Sequence, residues 1–336
     1  MKSILLFFAL SNFIYGFSQT SEDYLTSGNA KADAEDYKGA ILDYDKAITL
    51  DPKNGLLFFY RGTAKYYMEN NKGALEDYNK AILLDPTDFD SYGNRGLVKM
   101  ALKDNPGALA DFNKTITLDP KNAIAYFNRA DLKVEMKDYK GAMLDYNKAI
   151  ELDPKDPDAV NNRGILKYQM DDYAGAIADY NKVIAMDPTY PYIYANRAAV
   201  KSEQDDVPGA IADYTKAIES DPKDVDNYLN RGILKYESED VKGAISDFTK
   251  VITIEPSNVD GYALRGSAKS DLLDHAGAIL DYNKAIQLDP EDGAVVYNRG
   301  LSKLELKQKG EACIDFKKAM ELGEEMATEA FELNCK

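Results

Sequence analysis

Six asparagines recur in one setting: Asn94, Asn128, Asn162, Asn196, Asn230 and Asn298 each precede an arginine, which in turn precedes a glycine or alanine. An amide side chain carries an acceptor and donors together. A row of asparagines can therefore bond the N–H and C=O of an extended peptide, whatever that peptide's own side chains are. The series is broken at Tyr60 and Leu264. The other use of such amides is to satisfy nearby backbone or water, where most side-chain hydrogen bonds go.

The arginines that follow, Arg95, Arg129, Arg163, Arg197 and Arg231 among them, each have a lysine four residues on, and Asp111, Asp145, Asp179 and Asp213 keep the same period. A feature present in every unit is economically explained by building the unit. Buried charges must be paired, so each arginine is expected to bond an aspartate of its own or the preceding unit while its stem covers apolar surface.

Partner specificity should lie where the pattern departs from itself. Phe59, Tyr66 and Tyr67 are aromatic where other units often carry small or acidic residues, and Glu135, Glu203, Glu237, Asp271 and Glu305 take the place of Tyr67. Aromatics of this kind serve as interface anchors, grading a groove from aromatic to acidic; the alternative is that they pack against an irregular first unit.

Enzyme chemistry has little to stand on. The single histidine, His275, falls in a turn, and Cys/His metal spacing, a phosphate-cradling loop and a nucleophile motif are all absent. Acidic loops such as the one around Asp88 lack calcium-loop spacing. No catalytic residue, metal or cofactor is expected. With 57 acidic against 41 basic residues and a formal charge of −16, nucleic acid and anionic membranes are poor partners. A protein or peptide is the expected ligand, bound by a monomer or weak homo-oligomer.

The elements that must position these residues follow from one period. Prolines at 52, 86, 120, 154, 188, 222, 256 and 290, the arginines, and alanines from Ala40 to Ala312 all step by 34 residues, giving nine units. In the unit ending at Pro188, Ile177, Tyr180, Val183 and Ile184 mark one helical face, and the proline ends that helix. Asn54, Asp88, Asn122, Asp156, Asp224, Asn258 and Asp292 are N-cap candidates for first helices, and Asp36, Asn70 and the later members of that series for second helices. Tyr190, followed by Pro191, is the exception. Gly62, Gly96 and their equivalents, with Ala130 and Ala198, let the two helices of a unit approach closely.

The order Tyr92-x-x-Arg95-Gly96-x-x-Lys99, Ala108-x-x-x-Phe112, Pro120 resembles the tetratricopeptide repeat family, with Arg for the family's Leu and Lys for its Tyr. The resemblance covers roughly residues 21–322. It implies an all-α α-solenoid: a right-handed superhelix of about nine helix-turn-helix repeats whose first helices line a concave groove. Residues 323–336 look like a C-terminal capping helix. The asparagine series resembles the ladder in the repeats of O-GlcNAc transferase, which holds substrate chains by their backbone. The function implied is a scaffold binding an extended segment in its groove; the alternative is a self-associating component of a cell-envelope assembly.

The N-terminus reads as a signal peptide over residues 1–18, an apolar run from Ile4 to Tyr15 ending in small residues. Residues 19–322 then form the repeat array of an exported, periplasmic or extracellular chain, without membrane insertion after cleavage. Cys313 and Cys335, the two cysteines, are candidates for a disulfide in that compartment or for two reduced thiols.

Overall fold

The computed structural model describes residues 19–336; the leader expected at 1–18 lies outside them. Nineteen α-helices and no strands occur among the described residues, and none of these helices is long and apolar enough to cross a membrane. They form two compact units that divide after Pro154. The first unit holds α1 (Ser21–Asp33), α2 (Tyr37–Leu50), α3 (Gly55–Tyr67), α4 (Asn71–Leu84), α5 (Phe89–Ala101), α6 (Asn105–Leu118), α7 (Ala123–Glu135) and α8 (Tyr139–Leu152). The second holds α9 (Pro157–Gln169), α10 (Tyr173–Met186), α11 (Ile193–Glu203), α12 (Val207–Ser220), α13 (Val225–Glu237), α14 (Val241–Ile254), α15 (Val259–Asp271), α16 (His275–Leu288), α17 (Gly293–Glu305), α18 (Lys309–Glu321) and α19 (Met326–Cys335).

Each odd-numbered helix up to α17 packs against the next to make a hairpin, and within a unit successive hairpins stack in chain order. Each unit is thus an all-α repeat solenoid. First helices also approach one another, α1 with α3, α3 with α5 and α5 with α7, then α9 with α11, α13 with α15 and α15 with α17. Second helices make no comparable approach. The first-helix side is therefore the shorter, inner side of each stack.

Local chemistry sets the helix ends. Asp36, Asn70, Asp104, Asp138, Asp172, Asp206, Asp240 and Asp274 cap the second helices from α2 to α16, each accepting from the backbone N–H of a glycine three residues on. At one of these glycines, Gly141, a Cβ would stand 2.1 Å from Asp138 Oδ2, so a side chain there would make the capping carboxylate shift. First helices are capped by the Asn/Asp series expected from sequence. At α11 the Tyr-Pro sequence removes the cap: the helix starts at Ile193 behind a left-handed Tyr192 and has no side-chain cap bond.

Every hairpin turn contains a non-glycine residue in the left-handed region, from Glu35 (φ 60°) through Leu273 (φ 63°) to Lys307 (φ 61°). That conformation costs an L-residue about 1–2 kcal/mol. Leu273 is 78% exposed, so no packing would be lost with its side chain. Leu273→Gly is expected to raise the unfolding free energy by about 0.5–1 kcal/mol, after glycine's own entropy cost; urea denaturation showing a loss would contradict this.

Between the helices of a hairpin, a small residue faces an aromatic ring. A Cβ added at Gly96 would lie 2.6 Å from Phe112 Cε1, so the backbone of α5 sits against that ring. At the C-terminus α19 lays Ala327 and Ala330 on the last hairpin, beside Ala319 and Phe316. A Cys313–Cys335 disulfide joins α18 to α19.

Candidate protein-binding face

Charged residues of the first helices are held before anything can bind them. Arg95 on α5 donates from Nε to Asp111 Oδ2 at 2.8 Å and from Nη2 to Asp111 Oδ1 at 2.6 Å. Its remaining nitrogen, Nη1, donates to Asn79 Oδ1 at 2.8 Å, on the second helix of the preceding hairpin. Lys99, one turn on, reaches the same Asp111 at 2.7 Å. The pattern repeats for Arg129 with Asp145 and Asn113, Arg197 with Asp213 and Asn181, and Arg231 with Asp247 and Thr215. Arg163 makes the same two-pronged contact with Asp179.

In these units the carboxylate belongs to the arginine's own hairpin and an unforeseen amide or hydroxyl supplies the link to the preceding one; Arg61 instead takes a carboxylate from each, Asp77 of its own hairpin and Asp45 of the preceding one at 2.6 Å. Planar guanidinium matches carboxylate in this bidentate way. The guanidinium groups also lie over rings: Arg95 over Tyr92 at 5.3 Å and Arg129 over Tyr126 at 5.4 Å.

Rotated away from these pairs, the asparagines divide into two sets. Asn94 lies beside the Tyr78 hydroxyl, which bonds Thr63 and whose pKa burial pushes up to about 12. Asn196 donates to Asn161 Oδ1 at 3.3 Å, and Asn161 donates to Asn162 Oδ1 at 3.2 Å. The amides of Asn162 and Asn196 already have protein partners. Asn128, Asn230 and Asn298 have no hydrogen bond to a described residue. Asn230 is exposed and the other two are half-buried.

The three aromatic candidates separate as well. Phe59 packs 5.9 Å from the Tyr78 ring, and with Tyr66 it flanks the cluster of Ala74, Tyr78 and Val98. Both rings are half-buried in this packing. Tyr67 is 61% exposed and stacks on Tyr37, ring centroids 5.0 Å apart.

A buried polar tip explains further variation between units. Tyr44, Tyr78, Tyr146 and Tyr282 bond Asn29, Thr63, Asp131 and Ser267, whereas Phe112, Phe248 and Phe316 have Leu97, Ile233 and Leu301 at the equivalent place. Tyr180 and Tyr214 break the rule, with Ile165 and Ala199 there.

Acidic residues close four of the five first helices of the second unit: Glu203, Glu237, Asp271 and Glu305 are all exposed. Asp271 accepts from the Tyr236 hydroxyl, and burial with this acidic partner raises the Tyr236 pKa to about 12. In the first unit Glu135 is also exposed and pairs with Lys103 at 3.1 Å. Among the described residues no group of three or more His, Cys, Asp or Glu is placed to hold a metal ion.

Comparison with protein families bears on this arrangement. A profile described as "TPR repeat" matches residues 130–171 and 166–205, and two described as "Tetratricopeptide repeat" match 59–123, and 24–54 with 259–292. Together they cover more than half of the chain. It belongs to the tetratricopeptide repeat family.

Solved tetratricopeptide repeat structures share the fold. The C-terminal part of a TPR repeat-containing protein from Cytophaga hutchinsonii aligns with a TM-score of 0.60 at 18% identity, over 70% of this chain and 98% of that one. A structure from the functional characterization of Pseudomonas aeruginosa PilF gives 0.54 at 19% identity, over 62% of this chain and 94% of that one. YrrB, titled a TPR protein with an unusual peptide-binding site, gives 0.49 at 20% identity, over 56% and 96%. No curated protein matches the chain. Tetratricopeptide repeats are protein-interaction scaffolds, typically without catalysis of their own.

Proposed function

We propose that this tetratricopeptide repeat protein is an exported scaffold whose first-helix face holds an extended segment of a partner protein by its backbone. The observation that carries the reading is the contrast between neighbours. The arginine beside each asparagine is fully engaged, while the amides of Asn128, Asn230 and Asn298 have no bond to a described residue. An unengaged amide on the inner helix can bond a peptide N–H and C=O together. The exposed acids Glu203, Glu237, Asp271 and Glu305 favour a basic segment. The Cys313–Cys335 bridge supports export, since disulfides persist in oxidising compartments.

The test uses extended peptides selected by phage display against the wild-type chain. Asn230→Ala with Asn298→Ala, both in the second unit, should weaken those peptides by about tenfold or more, at about 0.5–1.5 kcal/mol per lost bond. Thermal stability should stay close to wild type, because neither amide supports the fold. Unchanged peptide affinity refutes the backbone grip.

A second reading, self-association through the outer helices, is favoured by Leu144, Leu280 and Ile314, which are exposed on α8, α16 and α18. Sedimentation equilibrium separates the two: a chain that stays monomeric on concentration removes self-association.

A further inference from the structure

The first two hairpins enclose a feature that their repeats do not require. A cavity of about 430 Å³ is lined by Asn29, Ala32, Asp33, Ala64 and Thr63 together with Tyr37, Tyr44, Tyr60 and Tyr67. That volume lies within the range of small-ligand pockets. Its rings form two stacked pairs, Tyr37 on Tyr67 at 5.0 Å and 12° between planes, and Tyr44 near Tyr60 at 6.1 Å and 20°. Two polar groups of the wall are already committed: Tyr44 donates to Asn29 Oδ1 at 2.9 Å, and Thr63 bonds Tyr78 at 2.9 Å. Asp33 is the single charged residue of the lining, and it has no ion pair or hydrogen bond with a described residue.

Comparison along the chain shows that this set is a departure. One unit later the four tyrosine positions are filled by Asn71, Tyr78, Asn94 and Ala101, and two units later by Asn105, Phe112, Asn128 and Glu135. The ring at the place of Tyr44 recurs because it packs the hairpin. A tyrosine also fills the place of Tyr37 in two later units, as Tyr139 and Tyr173, but there the places of Tyr60 and Tyr67 carry no ring, and Tyr60 stands where the asparagine series would otherwise begin.

We propose that this tyrosine-walled pocket takes a cationic side chain, lysine or arginine, from the protein segment held on the first-helix face. The proposal rests on the scaffold reading and names the chemistry of one of its contacts. Aromatic faces attract a cation through their quadrupoles, more strongly once it is partly desolvated, and a lone carboxylate in the wall supplies the counter-charge. Burial, with the charges of Tyr60 and Asp33, pushes the Tyr44 hydroxyl up to about 12, so it stays neutral beside a bound cation. The chain's charge of −16 adds long-range attraction for a basic segment.

Single-residue probes test the pocket apart from the peptide grip. Nα-acetyl-lysine methylamide, Nα-acetyl-arginine methylamide and the uncharged norleucine analogue are titrated into the full chain, followed by amide chemical shifts. The cationic probes should shift resonances in α1–α3 and bind roughly tenfold tighter than norleucine. Tyr67→Ala should cost roughly tenfold, and Asp33→Asn about fivefold; both positions are exposed, so the fold should survive, which the amide spectrum checks. Norleucine binding as tightly as lysine, or no shift in these helices, overturns the proposal whatever the peptides do. Lysine capture in the pocket supports it, even where the selected peptides ignore Asn230→Ala with Asn298→Ala; that pair of results removes the backbone grip alone.

Discussion

Asp145→Ala is expected to lower the unfolding free energy by about 3–5 kcal/mol, the cost of removing one partner from a buried ion pair. Asp145 is 4% exposed. It accepts from Arg129 Nε at 2.8 Å and Nη2 at 2.6 Å, and from Lys133 Nζ at 2.7 Å. Truncation leaves two cations facing one another beside the aromatic core of the hairpin, with Asn113 still holding one arm of Arg129. Asp145→Asn keeps the shape and isolates the charge, so it should recover only part of the loss.

The exposed pair Lys148–Glu151 on the same helix makes a control, with contacts of similar length but a worth of at most about 1 kcal/mol. Because each hairpin contacts only its neighbours, hydrogen exchange should show the loss first in α7 and α8. Urea denaturation with a change inside about ±0.5 kcal/mol would contradict the structural role given to the ladder.

Opening the disulfide has the second large effect. Cys313 and Cys335 close a loop with a sequence separation of 22, for which chain entropy gives about 3 kcal/mol. The consequence is local. α19 is a ten-residue helix without a side-chain cap bond, and an isolated helix that short is marginal in water. What holds it is the bridge and the burial of Ala327 and Ala330. Cys335→Ser, or reduction of the wild type, should release α19, expose Ala319 and Phe316, and lower the thermal midpoint of the last hairpin. Hydrogen-exchange protection of α19 that survives reduction would show that packing alone suffices.

Much of this architecture is legible in the residues because a fixed period acts on every unit at once. Arg129, Asp145 and the proline at 154 could be assigned to helix and turn from their spacing, and charge pairing followed from the cost of burying an unpaired guanidinium. Which aspartate each arginine takes was not legible. In a perfect repeat the partner in the same hairpin and the one a unit earlier are equivalent in sequence, and the turn geometry makes the choice. Asn79, Asn113 and Thr215 were missed as the third contact; the signal was a polar residue recurring after the core aromatic of each second helix.

Composition does not separate the half-buried Phe59 and Tyr66 from the exposed Tyr67. The tyrosine pocket was hidden for a related reason. Tyr60 in sequence only interrupts the asparagines, and its meaning depends on Tyr37 and Tyr67 arriving from two different helices. The left-handed turn residues give no sequence signal either, since Glu69, Lys137 and Leu273 fill a conformation that usually selects glycine.

The most direct measurement of the scaffold reading is a crystal structure of the chain with a phage-selected peptide bound. The expected result is an extended peptide along the first helices of the second unit, its backbone N–H and C=O within hydrogen-bond distance of the Asn230 and Asn298 amides. A peptide seated on the second helices, or touching the first helices through its side chains alone, would contradict it.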